Sequence, residues 1–265
     1  MAAKPKVIDV HCHPWFRDPV GKKIAKEAGI NFSMKGLLED FRKNNVVKAI
    51  LISDDNKVLV DTVKKYPKLF IGAPIVHPPK AQKDLKEIKA GIGAGYFGAI
   101  KILPGYFNFY PSDKVYCPFY KLAAKHNIPV IIHTGDTLKG EKGRLKYARP
   151  IHVDDAAVDF QDVNFILCHM GCPWFMEAAE VAYKNPNVWT DISGIVTHEL
   201  NDTDKKYIVY RLSEAINYVG PEKVLFGTDY PLISHKELLD FTRMLDVTKS
   251  ELRQILHTNA SKLLK

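Results

Sequence analysis

The chain has 265 residues, 46% of them hydrophobic, which is enough to bury the core of one large α/β domain and too apolar for a disordered segment. No apolar run approaches the ~20 residues of a membrane helix, and the basic start MAAKPK leads into VIDVHCHPWF with no small-residue cleavage site, so neither a membrane span nor a secretory signal is expected. The formal net charge of +8 comes largely from lysines spread along helical faces such as KKIAKEAG and KAQKDLKEIKAG, with no basic cluster interleaved with aromatics, so a solvated basic surface is expected and a nucleic-acid groove is not.

In chain order, short β-branched runs alternate with longer amphipathic segments. The strand candidates are Val7–Val10, Val46–Ile52, Leu69–Ile75, Gly98–Leu103, Ile128–Thr134, Val163–His169, Asn187–Ser193 and Lys223–Asp229. Helical periodicity covers Met34–Asn44, Val58–Lys65, Ala81–Ile92, Val115–His126, Val153–Phe160, Phe175–Lys184 and Asp204–Val219, and then Leu238–Leu245 and Ser250–Leu264. Eight strand–helix units predict a parallel sheet closed into a (β/α)8 barrel, a TIM barrel, in one domain spanning residues 1–265. The rival, an open doubly wound sheet, usually carries a Gly-rich turn after its first strand, where this chain has HCHPW. The segment from Pro14 to about Phe32 reads as a long loop, either a flap over the barrel mouth or a surface excursion.

Chemistry-bearing residues gather at the strand ends. His11 and His13 end the first strand and, two residues apart, share a face with Asp9, opposite Ile8, Val10 and Cys12. His133 ends the fifth strand, His169 the sixth and Asp229 the eighth. An isolated HxH is a weak signal, but imidazoles and a carboxylate repeated at the C-terminal ends of four strands converge on the face where barrel active sites sit. That donor set suits a divalent metal ion, zinc first, with manganese, cobalt and iron as alternatives. Alternation places Leu225, Gly227 and Asp229 on one face, and Phe165, Leu167 and His169 on another, so Cys168 and Cys12 are expected to point away as buried core thiols. With Cys117 and Cys172 they make four cysteines, too few for a disulfide framework, and a cytoplasmic protein with reduced thiols is expected. Trp15, Phe16, Arg17, Tyr106, Tyr110, Trp174 and Tyr230 lie in segments following strands, and Arg17 and Trp174 are retained as substrate-binding candidates.

VIDVHCHPW, IPVIIHTGD, FILCHMGCPWFMEA, NVWTDISG and VLFGTDYPL, with the closing QILHTNASKLL, give the chain a resemblance to the amidohydrolase superfamily along nearly its whole length. More narrowly it is similar to the amidohydrolase-related branch that includes the aminocarboxymuconate-semialdehyde decarboxylase-like enzymes. The resemblance implies a metallo-dependent hydrolase barrel in which His11, His13, His133 and Asp229 hold one divalent metal. It implies that His169 donates and accepts protons beside that metal, and that Asp229 also accepts one, as the catalytic pair. It implies a small-molecule substrate and a dimer or higher assembly.

Some amidohydrolases carboxylate a lysine at the position of Lys101 to bridge two metals. The mononuclear branch does not require it, so Lys101 is expected to anchor substrate or to form a structural ion pair. His77, His126, His152, His198, His235 and His257 are expected at surface or packing positions, with His198, just after the seventh strand, and His77, at the end of the third, the two to follow. The implied reaction is attack of metal-activated water on a carbonyl of a small organic substrate: an amide, ester or lactone. A non-oxidative decarboxylase of an aromatic or unsaturated carboxylic acid is the alternative on the same scaffold. A TatD-type metal-dependent deoxyribonuclease is a third, weakened by GAIKILPG where those enzymes carry a glutamate on the fourth strand.

Overall fold

The computed structural model describes residues 4–138, 142–197 and 200–264, so His198 lies outside the described residues. All eight strand candidates form strands, the first two running slightly past their expected ends and the other six trimmed: β1 Val7–Cys12, β2 Val46–Ser53, β3 Phe70–Pro74, β4 Ile100–Ile102, β5 Val130–Ile132, β6 Phe165–Leu167, β7 Val188–Asp191 and β8 Val224–Leu225. Helices α2 Met34–Asn44 and α7 Phe175–Lys184 match their expected spans. Helices α3 Asn56–Lys65, α4 Ala81–Gly93, α5 Cys117–His126, α6 His152–Asp159, α8 Asp202–Val219 and α9 His235–Thr242 match within a few residues. The final helical stretch is continuous but carries a π turn, Gln254–Thr258, between α10 Lys249–Arg253 and α11 Asn259–Leu263. The expected loop Pro14–Phe32 holds a further helix, α1 Pro19–Glu27. Its start is set by Asp18, whose carboxylate accepts from the Gly21 amide, and by Pro19 in the first turn, where proline's missing N–H costs nothing.

Every strand pair is parallel, in the orders β1-β2-β3 and β4-β5-β6-β7-β8. Two seams join these runs into a closed barrel. At one, Gly72 bridges Phe97 and Ile75 bridges Lys101, and the Val76 amide donates to the Lys101 carbonyl at 2.8 Å. At the other, Cys12 bridges Tyr230, the Val10 amide donates to Phe226 and the Asp229 amide donates to the His11 carbonyl at 2.8 Å.

The core divides in two, as a barrel requires. Ile8, Val10, Ile50, Ala73, Ile131, Ile166 and Leu225 fill the interior, and Ala260, Leu263 and Leu264 of the C-terminal stretch join them to close one end. Leu51, Ile100, Ile132 and Leu167 point outward and pack with Leu37, Phe41, Ile88, Phe119 and Leu212 of the surrounding helices.

Strand β1 departs from simple alternation. Asp9 lies opposite Ala49 and Cys12 opposite Leu51, so three steps on β1 span two on β2. This bulge inserts one extra residue. It leaves Asp9 and Cys12 on the outer face beside Ala49 and Leu51, and turns His11 and His13 to the inner one. The expectation that Asp9 shares a face with the two histidines is therefore corrected: strict period-two alternation fails across a bulge.

Outside the barrel Asp9 meets His235, which is fully buried and so takes the packing one of its two expected positions. His235 Nε2 lies 2.8 Å from Asp9 Oδ2 and its Nδ1 2.6 Å from Asp40 Oδ2, so one imidazole links β1, α2 and α9. Burial pushes the His235 pKa down, but the two carboxylates outweigh it and raise it to about 9. Breaking a buried pair of this kind costs about 3–5 kcal/mol, because it strands a charge. A folded-state pKa above the unfolded ~6.5 gives stability that is complete below that value and lost as pH rises through about 9. Denaturant midpoints are therefore expected to fall from pH 6.5 to pH 9.5. His235→Gln should be less stable at pH 6.5 and show a shallower fall; an unchanged slope would rule this pair out as the cause.

Candidate metal centre

The site is built from residues that leave the strands at the C-terminal end of the barrel. His169, Met170 and Asp229 all take positive φ, at 61°, 44° and 59°. Left-handed backbone is uncommon outside glycine and is held only where the surroundings over-determine it. These turns swing the His169 and Asp229 side chains back over the barrel. The reading of Cys168 is corrected: alternation runs on through β6, so Cys168 shares the inner face with Ile166 instead of pointing away, and the left-handed turn is what brings His169 to the centre beside it, while Cys12 is a buried outer-layer thiol as expected.

Three donors meet around Asp229: its Oδ1 lies 2.9 Å from His13 Nε2 and 3.4 Å from His11 Nε2. His11, His13 and Asp229 present ligand atoms within 4.8 Å of one another, and His11, Cys168 and His169 form a second such group. The opposite nitrogen of each central imidazole is tied down. His11 Nδ1 lies 3.1 Å from Asp191 Oδ2, His13 Nδ1 3.1 Å from the Ile52 carbonyl and His169 Nδ1 2.9 Å from the Ser193 carbonyl. A carbonyl or an ionised carboxylate can only accept, so each Nδ1 carries the proton and each Nε2 keeps a lone pair directed at the centre. His133 is engaged the other way, its Nε2 donating to the Asp136 carbonyl at 2.9 Å, which leaves Nδ1 as its lone pair. Its ring lies 5.2 Å from that of His169, edge to face, and it is outside the two groups whose ligand atoms converge.

The electrostatics keep these donors in the form that a cation needs. Burial and the neighbouring Lys101 lower His11 to about 4, so its imidazole is neutral at physiological pH. Burial, with His169 and Lys101, holds His133 well below its usual value. For Asp229, burial pushes upward, but His11, His13 and His169 outweigh it and hold the carboxyl well below the usual range. Neutral His11 and His133 beside an ionised Asp229, with the imidazoles braced through their far nitrogens, fit a divalent first-row ion.

Glycines make room for this packing. A Cβ at Gly194, where φ is +61°, would lie 2.8 Å from His169 Nδ1 and 2.9 Å from Asp229 Oδ2, and one at Gly227 would lie 2.9 Å from the His11 Cβ.

Lys101 sits beneath the cluster, 1% exposed, with Nζ 2.8 Å from Cys168 Sγ and 3.5 Å from His11 Nε2. Among the described residues no carboxylate pairs with it within 4.0 Å, so the structural ion pair expected as one of its roles is not formed. Trp15 stacks on His13 with ring centres 3.9 Å apart, and Tyr106 lies 4.9 Å from His133. Arg17 is exposed, and Trp174 lies under the Arg149 guanidinium at 5.4 Å.

Sequence reasoning passed over Asp191, although TDIS at the end of β7 mirrors GTD after β8. Asp191 is fully buried. Its Oδ2 takes His11 Nδ1, and its Oδ1 takes the amides of His169 and Ser193 and the Ser193 hydroxyl at 2.5 Å. Burial opposes ionisation, but His11, His169 and Ser193 hold this carboxyl far below its usual range.

The family model for amidohydrolases matches residues 8–265. Over 103 residues the chain is 27% identical to protein fluG of Emericella nidulans, a stretch covering 39% of this chain and 11% of that protein, so the match concerns a small part of its curated relative. An uncharacterised TIM-barrel protein of Bordetella bronchiseptica superposes with a TM-score of 0.78 at 20% identity, covering 98% of both chains. A dihydroxybenzoic acid decarboxylase of Polaromonas sp. JS666, solved with manganese and the inhibitor 2-nitroresorcinol, gives 0.74 at 15% identity over 98% of this chain and 97% of that one. A probable 2-pyrone-4,6-dicarboxylic acid hydrolase of Acinetobacter baumannii with citric acid bound gives 0.67 at 14% identity over 98% and 99%.

Asp191 accepts on both oxygens, so an amide in its place must aim one donor at another donor. Asp191→Asn is therefore expected to keep the far-ultraviolet dichroism of the fold while weakening zinc or manganese affinity by about 10–100-fold. Chelator competition measures this, and an unchanged affinity would remove Asp191 from the support of the site.

Proposed function

The chain belongs to the amidohydrolase family and is an enzyme, and from that premise we propose that it is a metal-dependent hydrolase acting on a carbonyl of a small organic substrate: an amide, ester or lactone. The observation that carries this reading is the convergence of His11 and His13 Nε2 on Asp229 Oδ1, with both Nδ1 atoms held by acceptors. His11, His13 and Asp229 would hold the ion, with His133 approaching through Nδ1 as a fourth donor. Zinc is proposed first, since imidazole and carboxylate oxygen suit it, with manganese, cobalt and iron as alternatives. Bound there, a divalent ion supplies a Lewis acid and lowers the pKa of water towards neutrality.

The residues around it divide the proton work. Asp229 is held ionised, so its Oδ2 can accept the proton released as water adds to the carbonyl. His169, with Nδ1 on the Ser193 carbonyl, presents Nε2 as the next acceptor and carries the proton to the leaving group. Trp15 and Tyr106 form apolar walls beside His13 and His133, which orient a flat substrate and exclude water. Lys101 offers an amine at the floor that can anchor an oxygen of the substrate, while Arg17 and Trp174 would act from the rim. A cytoplasmic setting is proposed from the four free cysteines; no helix among the described residues is long and apolar enough to cross a membrane.

A second reading, non-oxidative decarboxylation of an aromatic or unsaturated acid, is supported by the likeness to the Polaromonas decarboxylase. One assay separates the two. Protein reconstituted with zinc or manganese is incubated with a panel of lactones, aromatic amides and esters, and hydroxylated aromatic acids, following acid release and carbon dioxide release in parallel. Hydrolysis is expected, with kcat falling at least ~100-fold in His169→Asn while metal content is retained. Carbon dioxide release without hydrolysis would replace the first reading by the second, and turnover that survives His169→Asn would remove that residue from the reaction.

A further inference from the structure

Two groups of donors share His11. His11, His13 and Asp229 offer two imidazoles and a carboxylate, while His11, Cys168 and His169 offer two imidazoles and a thiol, and every member of this second group is buried. His11 cannot serve both at once, because its Nδ1 is held by Asp191 and its Nε2 has a single lone pair. The centre therefore has two alternative positions for an ion, one with an oxygen donor and one with a sulfur donor.

The sulfur position is already filled. Strand β4 sends Ile100 and Ile102 outward, so Lys101 between them points into the barrel, where it is 1% exposed. Strand register sets Lys101 level with Ile131 and Ile166, one layer below Cys168 on the inner face. Two residues along a strand span ~6.6 Å, and an extended lysine side chain climbs that step. Its Nζ ends 2.8 Å from Cys168 Sγ and 3.5 Å from His11 Nε2, so one amine touches two of the three donors of this position. Among the described residues no carboxylate pairs with it within 4.0 Å, so nothing draws it aside. A cation entering here meets both an occupied space and a like charge.

We propose that Lys101 is a metal-specificity residue: its Nζ fills the sulfur position as a resident cation, and so confines the metal ion to His11, His13 and Asp229 and sets the centre against ions that favour sulfur. This rests on the metal-centre reading given above. Thiolate sulfur selects soft ions over manganese, whereas imidazole with carboxylate accepts a wider range of divalent ions. With Lys101 in place the sulfur is withheld, and the choice of ion falls to nitrogen and oxygen. Two of the three ammonium hydrogens are engaged in this way, and the third is left for an oxygen of the substrate.

Cobalt-loaded full-length protein reads this directly, since cobalt bound to a thiolate gives a sulfur-to-metal charge-transfer band in the near ultraviolet and cobalt bound to nitrogen and oxygen alone does not. The wild type is expected to take about one cobalt per chain without that band, and Cys168→Ser to keep its cobalt affinity within about 3-fold. Lys101→Met, which keeps the apolar stem and removes the amine, should show the band and raise the affinity for cadmium relative to manganese at least ~10-fold. Adding Cys168→Ser to it should abolish both changes. Far-ultraviolet dichroism checks the fold of each variant; Lys101→Ala takes the place of a Lys101→Met that does not fold, and the wild-type and Cys168→Ser results stand without either. A thiolate band in the wild type, or a cobalt affinity lost in Cys168→Ser, would make the sulfur a ligand already and overturn the proposal. A folded lysine variant without the band would overturn it too, while its bound cobalt left the metal centre standing. A wild type that binds no cobalt at all would instead remove the metal centre, and the proposal with it.

Discussion

The hydrogen bond from the Asp229 amide to the His11 carbonyl belongs to one of the two seams that close the barrel, and it assembles the site at the same point. It joins the first strand to the segment after the last. Because the backbones meet there, the Asp229 carboxylate has no choice but to lie against the Nε2 atoms of His11 and His13. The fold and the centre therefore share a dependency: whatever loosens the seam between β1 and β8 separates the donors. This also explains why backbone that is costly elsewhere is kept here. The positive φ at Asp229 aims its side chain inward at the moment the chain leaves the ladder.

Two buried carboxylates brace that seam from opposite sides. Asp191, inside, fixes His11 through Nδ1 and gathers the His169 amide and the Ser193 hydroxyl. Asp9, outside, accepts from the His11 and Thr228 amides and the Thr228 hydroxyl while paired with His235. Neither is placed to hold a cation beside His13, yet each fixes a residue that is, or its chain neighbour. Buried charges are retained only where they are paired, and here the pairing holds the donor geometry. The residues that position this site are as buried and as charged as those that form it.

Much of this was legible in the sequence because strand ends advertise themselves. A β-branched run followed by histidine or aspartate occurs at β1, β5, β6 and β8, and the barrel brings such ends together. Side-chain direction was less legible, because alternation is a rule of regular strands and the site lies where strands stop being regular. The bulge on β1 turns His11 and His13 inward while Asp9 stays outward, and the left-handed turn brings His169 inward beside Cys168; neither leaves a mark in hydrophobic periodicity. Helix α1 was hidden because Lys22, Lys23, Lys26 and Glu27 dilute its apolar face to Gly21 and Ala25, although Asp18-Pro19 marks its start. Asp191 and His235 were missed for one reason: their partners, His11 and Asp9, are remote in sequence, so no local spacing pairs them.

The central claim is that His11, His13 and Asp229 form a metal centre, and metal content per chain tests it most directly. Protein purified without chelating resins, and then reconstituted with zinc or manganese, is to be analysed by elemental mass spectrometry beside Asp229→Ala. About one divalent ion per chain, largely lost in the variant, is the result the arrangement of donors predicts. No bound ion in the wild type after reconstitution, or equal content in the variant, would contradict it.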